Sequence, residues 1–219
     1  MSEENLTQGI LIVLSSPSGA GKTSLANVLV SENKNIIFSV SATTRPPRRG
    51  EVDGREYYFK DHVEFNRMIQ NAEFIEYAEV FGNYYGTLKK TTEELIQSGK
   101  DVIFDVDWQG GTQIRNSYLA PSVVSIFILP PSIGSLRERL LSRDQDDNNT
   151  VNFRMLEARS EISHWAEYDY VLINDEFIDV KESIRKVIEA EKMRRKRQHN
   201  LPNFVASLNA EFDLVKDKP

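Results

Sequence analysis

The sequence predicts an α/β fold in which a mainly parallel sheet is flanked by helices. Mostly apolar runs at residues 10–14, 101–107, 123–129 and 169–173 indicate strands, and segments with helical spacing lie between them. Strands that are apolar on both faces and alternate with helices are typical of parallel sheets, because helices then cover both faces. Ligands of such sheets bind beyond the carboxyl ends of the strands.

Length and composition limit the class of protein. A chain of 219 residues can form one sizeable core with inserted subdomains. Its 27 basic and 33 acidic residues give a net charge of −6, which argues against a general nucleic-acid or membrane-surface binder. Without cysteine there are no disulfides and no thiolate metal sites. The polar N-terminus and the lack of a long apolar run predict a cytoplasmic protein, and the oligomeric state is left open.

A glycine-rich motif, SSPSGAGKTS, follows the first apolar run and precedes a helical segment. Gly19 and Gly21 allow backbone conformations in which consecutive N–H groups converge on a phosphate; Lys22 supplies a cation, and the Thr23 hydroxyl can hold Mg²⁺. Ser16 stands where the pattern G-x-x-x-x-G-K-[ST] has glycine, and because serine is small we expect a working loop. A chance turn is the alternative, which the flanking strand and helix disfavour. The residues expected to hold the phosphates of a nucleotide are Ser16, Pro17, Ser18, Gly19, Ala20, Gly21, Lys22, Thr23 and Ser24.

Residues 40–90 predict a small mixed α/β insertion. Prolines and arginines suggest an ordered cationic loop at its start, stiffened by Pro46 and Pro47. Asp61 followed by Glu64 is a capping signature for a helix. The predicted elements are, in order, the loop from residue 41, a strand at 57–60, a helix at 62–70, a strand at 74–80 and a glycine-bounded turn at 81–87.

Residues 132–166 are helical in pattern and rich in arginine. A polar stretch at 144–149 divides them, so we expect two helices with charged inner faces that form a lid. Together with the glycine-rich loop, this predicts a P-loop NTPase-like core with two insertions. The predicted divisions are a core of residues 1–39, 91–131 and 167–219, a small subdomain of residues 40–90, and a lid of residues 132–166.

Two further helices are predicted from their ends. Thr91 or Thr92 can cap a helix that Gly99 terminates. The last helix begins near Asp179 and ends in the basic run 194–197, which we interpret as a solvated terminus that favours the helix dipole.

Two sets of charged residues suggest ligand contacts. Arg45 and Arg48, with Tyr57 nearby in sequence, suit a phosphate, because guanidinium groups bind phosphate oxygens as a fork. An ordinary solvated turn is the alternative. Asp105 and Asp107 end a predicted strand, where a phosphate-loop protein places the acid that engages Mg²⁺. We also expect that at least one of them caps the following turn.

The chain resembles the guanylate kinase family from about residue 10 to about residue 194. The resemblance lies in SSPSGAGKT, SVSATTRPPRRGEVDGREYYF, FIEYAEVFGNYYGT, DVIFDVDWQGG, FILPPS and YDYVLINDEF. It implies that residues 40–90 bind GMP, with Arg45, Arg48, Tyr57 and Tyr85 around the phosphate and Ser41, Glu76, Thr87 and Asp107 around the guanine. Glu51 belongs to the same family segment and is assigned to this site.

Guanine gives a physical reason for this base site. It presents two neighbouring N–H donors and one carbonyl acceptor, so Glu76 can accept both donors while a hydroxyl donates to the carbonyl oxygen. Adenine would leave a buried carboxylate unpaired, which can cost a factor of about 10⁴ in selectivity.

The donor site follows from the resemblance as well. It implies ATP on the glycine-rich loop, Mg²⁺ at Thr23 and Asp105, and Asn174 as an adenine-side contact, for which an asparagine in an ordinary turn is the alternative. Asp144 stands where the family usually has glycine, which leaves the lid geometry open. The residues implied in catalysis are Lys22, Arg45, Arg139, Arg143 and Arg154.

The implied activity is transfer of the γ-phosphoryl group of Mg·ATP to GMP, with dGMP expected as a second acceptor, giving ADP and GDP in purine metabolism. Small nucleotides are the implied partners. Some guanylate-kinase-like domains of scaffold proteins bind phosphopeptides instead, and retention of Lys22, Thr23 and Asp105 disfavours that reading here. A related kinase with another small phosphorylated acceptor is disfavoured by Glu76 and Thr87.

Overall fold

The computed structural model describes residues 8–80, 82–142, 148–198 and 200–216. These residues form nine strands and eight α-helices. The strands are β1 (Leu11–Ser15), β2 (Ile36–Phe38), β3 (Ser41–Thr43), β4 (Tyr58–Phe59), β5 (Phe74–Val80), β6 (Asn83–Leu88), β7 (Asp101–Asp105), β8 (Val123–Leu129) and β9 (Tyr170–Ile173). The helices are α1 (Lys22–Glu32), α2 (His62–Gln70), α3 (Lys89–Gln97), α4 (Trp108–Arg115), α5 (Ile133–Leu141), α6 (Asn148–Ser163), α7 (Phe177–Met193) and α8 (Leu201–Lys216).

The main sheet has five parallel strands in the order β2-β7-β1-β8-β9. Every residue of the central strand β1 is buried. One face packs against α1 and α7 through side chains such as Leu25 and Ile184, and the other packs against α3 and α4 through Ile96 and Ile114. The prediction of a parallel sheet flanked by helices is confirmed. The loops at its carboxyl edge therefore lie together, where the candidate site is built.

A second sheet lies within residues 41–88. Its order is β4-β3-β6-β5, with β6 antiparallel to both of its neighbours and β4 parallel to β3. Helix α2 packs on it, and the ring of Phe65 stacks on that of Phe74 with 4.5 Å between centroids. Asp61 caps α2 as predicted, because its side chain accepts a hydrogen bond from the backbone N–H of Glu64.

Two local predictions in and beside this sheet are wrong. Residues 83–87 are not a turn but most of β6, because they pair with β5 and residues 85–87 pair with β3 as well. The predicted cationic loop begins with the short strand β3, and its part with the arginines is a loop as predicted. Helix α3 begins at Lys89 without a side-chain cap, and the Thr92 hydroxyl instead donates to the carbonyl of Leu88 inside the first turn.

Helices α5 and α6 pack on each other through aliphatic side chains. Leu136, Leu140, Val151 and Ala158 are buried between them. The contact that joins the two helices is therefore apolar, while the charged side chains of Arg139 and Glu161 meet the backbone of Asn174 and of the glycine-rich loop. Of the predicted polar break at 144–149, residues 144–147 lie outside the described residues, and 148–149 belong to α6.

The C-terminal segment also differs from the prediction. Helix α7 ends at Met193, a short 3₁₀ turn spans Arg195–Arg197, and α8 follows. Arg197 is not solvated: it is buried, and its guanidinium donates to the carbonyl of Val123 and to the carboxylate of Glu191. In the described part of the chain no helix has the length and apolar character that crossing a bilayer requires.

Candidate nucleotide site

The glycine-rich loop joins β1 to α1 at the carboxyl edge of the main sheet. Gly19 and Gly21 have φ angles of 92° and 96°, in the region that glycine adopts without strain. The amide of Asn174 donates to the carbonyl of Ala20 across 2.7 Å, and a Cβ on Gly21 would lie 2.5 Å from its nitrogen. Asn174, which follows β9, therefore fixes the position of the loop. Ser16, in the position of the expected glycine, is buried and turns its hydroxyl to the carbonyl of Pro17.

Lys22 and Thr23, at the start of α1, meet the carboxylate of Asp105 at the end of β7. The ammonium of Lys22 lies 2.7 Å from one oxygen of Asp105 and also donates to the carbonyl of Val106 at 2.8 Å. The Thr23 hydroxyl donates to the other carboxylate oxygen at 2.6 Å. One carboxylate therefore orients both residues that the sequence assigned to the phosphates and the metal.

The same pair fits a magnesium ion. Mg²⁺ prefers oxygen ligands and is held in nucleotide enzymes by one or two protein oxygens together with substrate phosphates. Thr23 and Asp105 bring a hydroxyl and a carboxylate oxygen to one point beside the loop. In the described part of the chain, no group of three or more His, Asp or Glu side chains could hold a metal without such help.

Asp107 caps helix α4. Its carboxylate accepts a hydrogen bond from the N–H of Gly110 at 2.8 Å, which confirms that one acid of the pair caps the following turn. A Cβ on Gly110 would lie 3.1 Å from an oxygen of Glu76, so the start of α4 lies directly beside that carboxylate.

Glu76 and Thr87 form a buried pair on neighbouring strands. They are partners in the register of β5 and β6, and Thr87 in turn pairs with Ser41 of β3. The Thr87 hydroxyl donates to Glu76 across 2.7 Å. Burial raises the pKa of Glu76 to about 7; the bond from Thr87 opposes the rise, and the charge of Asp107 adds to it. A buried carboxylate is thus available to a ligand with N–H donors.

Arg45 is held by carboxylate and aromatic groups. One of its terminal nitrogens donates to both oxygens of Glu51, at 2.9 and 3.0 Å, and this hydrogen bond is the main cause that raises the pKa of Arg45. Its guanidinium lies over the ring of Tyr57 at 5.4 Å, and Tyr85 meets Tyr57 edge-on with 6.0 Å between centroids. Arg48 is exposed, and its backbone N–H donates to Glu51 at 2.7 Å. The Glu51 carboxylate therefore bonds to Arg45 and to the backbone of Arg48 within the arginine loop.

The arginine–tyrosine group, which consists of Arg45, Arg48, Tyr57 and Tyr85, is close enough to the carboxylate beside the glycine-rich loop to interact with it electrostatically. Burial is the main cause that raises the pKa of Tyr57, but the charge of Asp105, beside the glycine-rich loop, contributes as well. The charge of Asp107 likewise acts on Glu76. Tyr57 therefore lies within electrostatic range of the carboxylate that holds Lys22 and Thr23.

Helices α5 and α6 reach the loop directly. A Cβ on Gly19 would lie 3.1–3.2 Å from side-chain atoms of Leu136 and Leu140, and Arg139 donates to the carbonyl of Asn174 at 3.1 Å. Arg154 lies on α6 and is half-buried. Arg143 lies outside the described residues.

Two contacts had no signal in the sequence, one made by α6 with the glycine-rich loop and one made by the residue that follows α6. Glu161 accepts a hydrogen bond from the backbone N–H of Ser18 at 3.1 Å. His164 stacks on Trp108 at the start of α4, with centroids 3.7 Å apart. Both join positions far apart in the chain, which local spacing does not reveal.

The loop, its lysine and its carboxylate define a phosphate-loop nucleotide-binding protein of the P-loop NTPase-like fold. The chain belongs to the guanylate kinase family, because the family model described as guanylate kinase matches residues 8–191.

Individual relatives agree with this assignment. The chain is 53% identical to the guanylate kinase of Cereibacter sphaeroides over 206 residues, which cover 94% of this chain and 98% of the relative. It is 52% identical to that of Ruegeria pomeroyi, with 94% and 97% covered. The crystal structure of guanylate kinase from Anaplasma phagocytophilum superimposes with a TM-score of 0.74 at 39% identity, covering 92% of this chain and 95% of that one.

Proposed function

We propose that this protein transfers the γ-phosphoryl group of ATP to GMP, giving ADP and GDP. The observation that carries the proposal is the buried pair of Glu76 and Thr87, because it lies beside a complete phosphate loop and suits guanine. The family and its close relatives support the same activity. Because its substrates are nucleotides, we expect it to act in the cytoplasm as part of purine metabolism and to accept dGMP as well.

Residues 40–90 form the acceptor subdomain in this proposal. Glu76 accepts the two neighbouring N–H donors of guanine, and the hydroxyls of Ser41 and Thr87 lie on the adjoining strands of the same sheet. Asp107 supports the base site from α4. Adenine offers no such donor pair, so binding AMP would bury the Glu76 carboxylate without partners.

The acceptor phosphate belongs with the arginine–tyrosine group. Arg45 is oriented by Glu51 and Tyr57, and its other terminal nitrogen donates to the carbonyl of Pro46, so a phosphate fork would take the place of one of these partners. Arg48 and Tyr85 complete this group. A prearranged cation of this kind binds an anion with little loss of side-chain entropy.

The donor triphosphate belongs on the loop from Ser16 to Ser24, with the adenine on the side of Asn174. Lys22 neutralises charge on the β and γ phosphates, and it is already directed there by Asp105. Thr23 and Asp105 would hold Mg²⁺, which supplies further neutralisation of the phosphate oxygens.

Phosphoryl transfer then needs no protein nucleophile. An oxygen of the GMP phosphate attacks the γ-phosphorus, a new P–O bond forms, the bond to the bridging oxygen of ADP breaks, and ADP leaves. The rate comes from alignment of the two nucleotides and from cations around the transferring group, among them Lys22 and the lid arginines Arg139, Arg143 and Arg154. Closure of residues 132–166 over the site would exclude water and so suppress ATP hydrolysis.

The experiment that tests the proposal is a titration with Mg·ATP followed by product analysis with GMP. We expect saturable ATP binding and formation of GDP in proportion to ADP. A protein that bound no ATP would be a binding module like the scaffold domains, and a protein that formed ADP without GDP would have another acceptor.

A further inference from the structure

Helix α6 carries a carboxylate to the donor loop. The buried residues Val151 and Ala158 place one face of α6 against α5, and Glu161 follows one turn further along, next to that face. Its side chain reaches across 143 positions of sequence to the backbone N–H of Ser18, at 3.1 Å. The contact therefore joins the proposed lid to the middle of the phosphate loop.

The charges around Glu161 belong to the donor site. Burial raises the pKa of this carboxyl group, the hydrogen bond from Ser18 and the charge of Lys22 oppose the rise, and Glu157 and Asp107 add to it. A half-buried carboxylate among two other acids is costly unless donors satisfy it. The amide of Ser18 supplies such a donor, so the loop and the helix stabilise each other.

The contact also fixes the shape of the loop. The peptide groups of a phosphate loop must point in set directions, and the bond to Glu161 fixes the direction of the Ser18 N–H. The carbonyl of Pro17, in the same peptide group as the Ser18 N–H, accepts from the N–H of Ala20 at 3.1 Å, which closes the turn. Without Glu161, the Ser18 amide would lose this partner and the loop one of its constraints.

We propose that Glu161 is a positioning residue for the donor nucleotide: it holds the phosphate loop in its binding conformation from the lid. This inference rests on the proposed function, since it takes the loop as the ATP site. The role needs an acceptor atom at the right distance and does not need a negative charge.

Three substitutions distinguish the effect of the length of the Glu161 side chain from the effect of its charge. Glu161→Ala removes both, Glu161→Asp keeps the charge but is one methylene too short for Ser18, and Glu161→Gln keeps an acceptor oxygen at full length. We expect KM for ATP to rise about tenfold in the Ala and Asp variants and to stay within about threefold of the original in the Gln variant. KM for GMP should stay within about twofold in all three, because the acceptor contacts lie in another subdomain.

The matched control is Glu138→Ala, which removes an exposed carboxylate from α5, the other helix of the proposed lid. It should leave both KM values unchanged. Thermal unfolding of each variant shows whether it is folded, and the Asp and Gln variants keep the test valid if the Ala variant is not.

Three results would overturn the role of Glu161. One is an unchanged KM for ATP in the Asp variant, another is an equal defect in the Asp and Gln variants, and the third is an equal rise of both KM values. Lys22→Met distinguishes these from failure of the donor-site assignment itself. If that variant turned over normally, the loop would not be the ATP site, whereas a crippled Lys22→Met beside a normal Glu161→Asp would refute only the inference drawn here.

Discussion

The hydroxyl of Thr87 donates a hydrogen bond to the carboxylate of Glu76 across 2.7 Å, and both side chains are almost completely buried. Thr87 satisfies one oxygen of this carboxylate, while Asp107 repels its charge from the side of α4. The ionised carboxylate is therefore costly in the free protein, and a ligand that donates hydrogen bonds would stabilise it.

GMP affinity should consequently fall with pH below about 7. Only ionised Glu76 accepts both N–H donors of guanine, and its pKa lies at about 7 in the free protein. The dissociation constant for GMP should rise by up to about tenfold per pH unit below that value. Calorimetric titration between pH 5.5 and 8.5 measures this, with Glu76→Gln as the control that removes the titrating group while the titration of GMP itself remains. Parallel pH profiles for the two proteins would contradict the role of Glu76.

Glu76→Gln should also stabilise the free protein at high pH. The folded-state pKa of Glu76 is about 7 and exceeds its ordinary value of 4.5, so the ionised carboxylate weakens the folded state above pH 7. The free energy of unfolding of the variant should exceed that of the original protein by up to about 3 kcal/mol at pH 8. The difference should shrink as pH falls from about 7 towards 4.5, because the folded original protein then takes up a proton. Urea unfolding at both ends of this range tests it, and a variant less stable at pH 8 would refute it.

Lys22→Met should reduce turnover by orders of magnitude and leave GMP affinity nearly unchanged. Lys22 lies with Asp105 beside the loop, whereas the residues assigned to GMP lie mostly on β3, β5 and β6. Steady-state kinetics and a separate GMP titration measure the two effects. Near-normal turnover would contradict the function given to Lys22.

Two glycine substitutions form a matched pair. Gly21→Ala would bring a Cβ within 2.5 Å of the Asn174 amide at a φ of 96°, so we expect a loss of about 1–3 kcal/mol in stability and at least tenfold weaker ATP binding. Gly134→Ala meets nothing nearer than 3.7 Å within α5 and should be neutral or stabilising by up to about 1 kcal/mol. Thermal unfolding and ATP titration measure both. Equal behaviour of the two variants would show that Asn174 does not confine the loop.

Local pattern was enough for the core of the fold. The apolar runs predicted β1, β7, β8 and β9, and the capping signature at Asp61 predicted α2. Both signals depend only on residues that are adjacent in sequence. The predicted cap at Thr92 is wrong because α3 begins three residues earlier, directly after the paired strand β6. Strand pairing is a tertiary effect that overrides a weak local preference.

The sequence predicts which residues form the site, but it does not predict which contacts they make with one another. The motif pointed to Lys22, Thr23 and Asp105 separately, and the structure adds that a single carboxylate orients the other two. The basic run predicts a solvated Arg197, but Arg197 is buried and donates hydrogen bonds to Glu191 and to the carbonyl of Val123. Such partners come from distant segments, as does the contact between Glu161 and Ser18.

The measurement that tests the central claim most directly is an acceptor panel at fixed Mg·ATP, with ADP release followed for GMP, AMP, CMP and UMP. The claim is that the buried Glu76–Thr87 pair selects guanine for phosphoryl transfer from the loop. It predicts a kcat/KM for GMP at least about 10³-fold above that for any other nucleotide. Comparable values for AMP or CMP would contradict it.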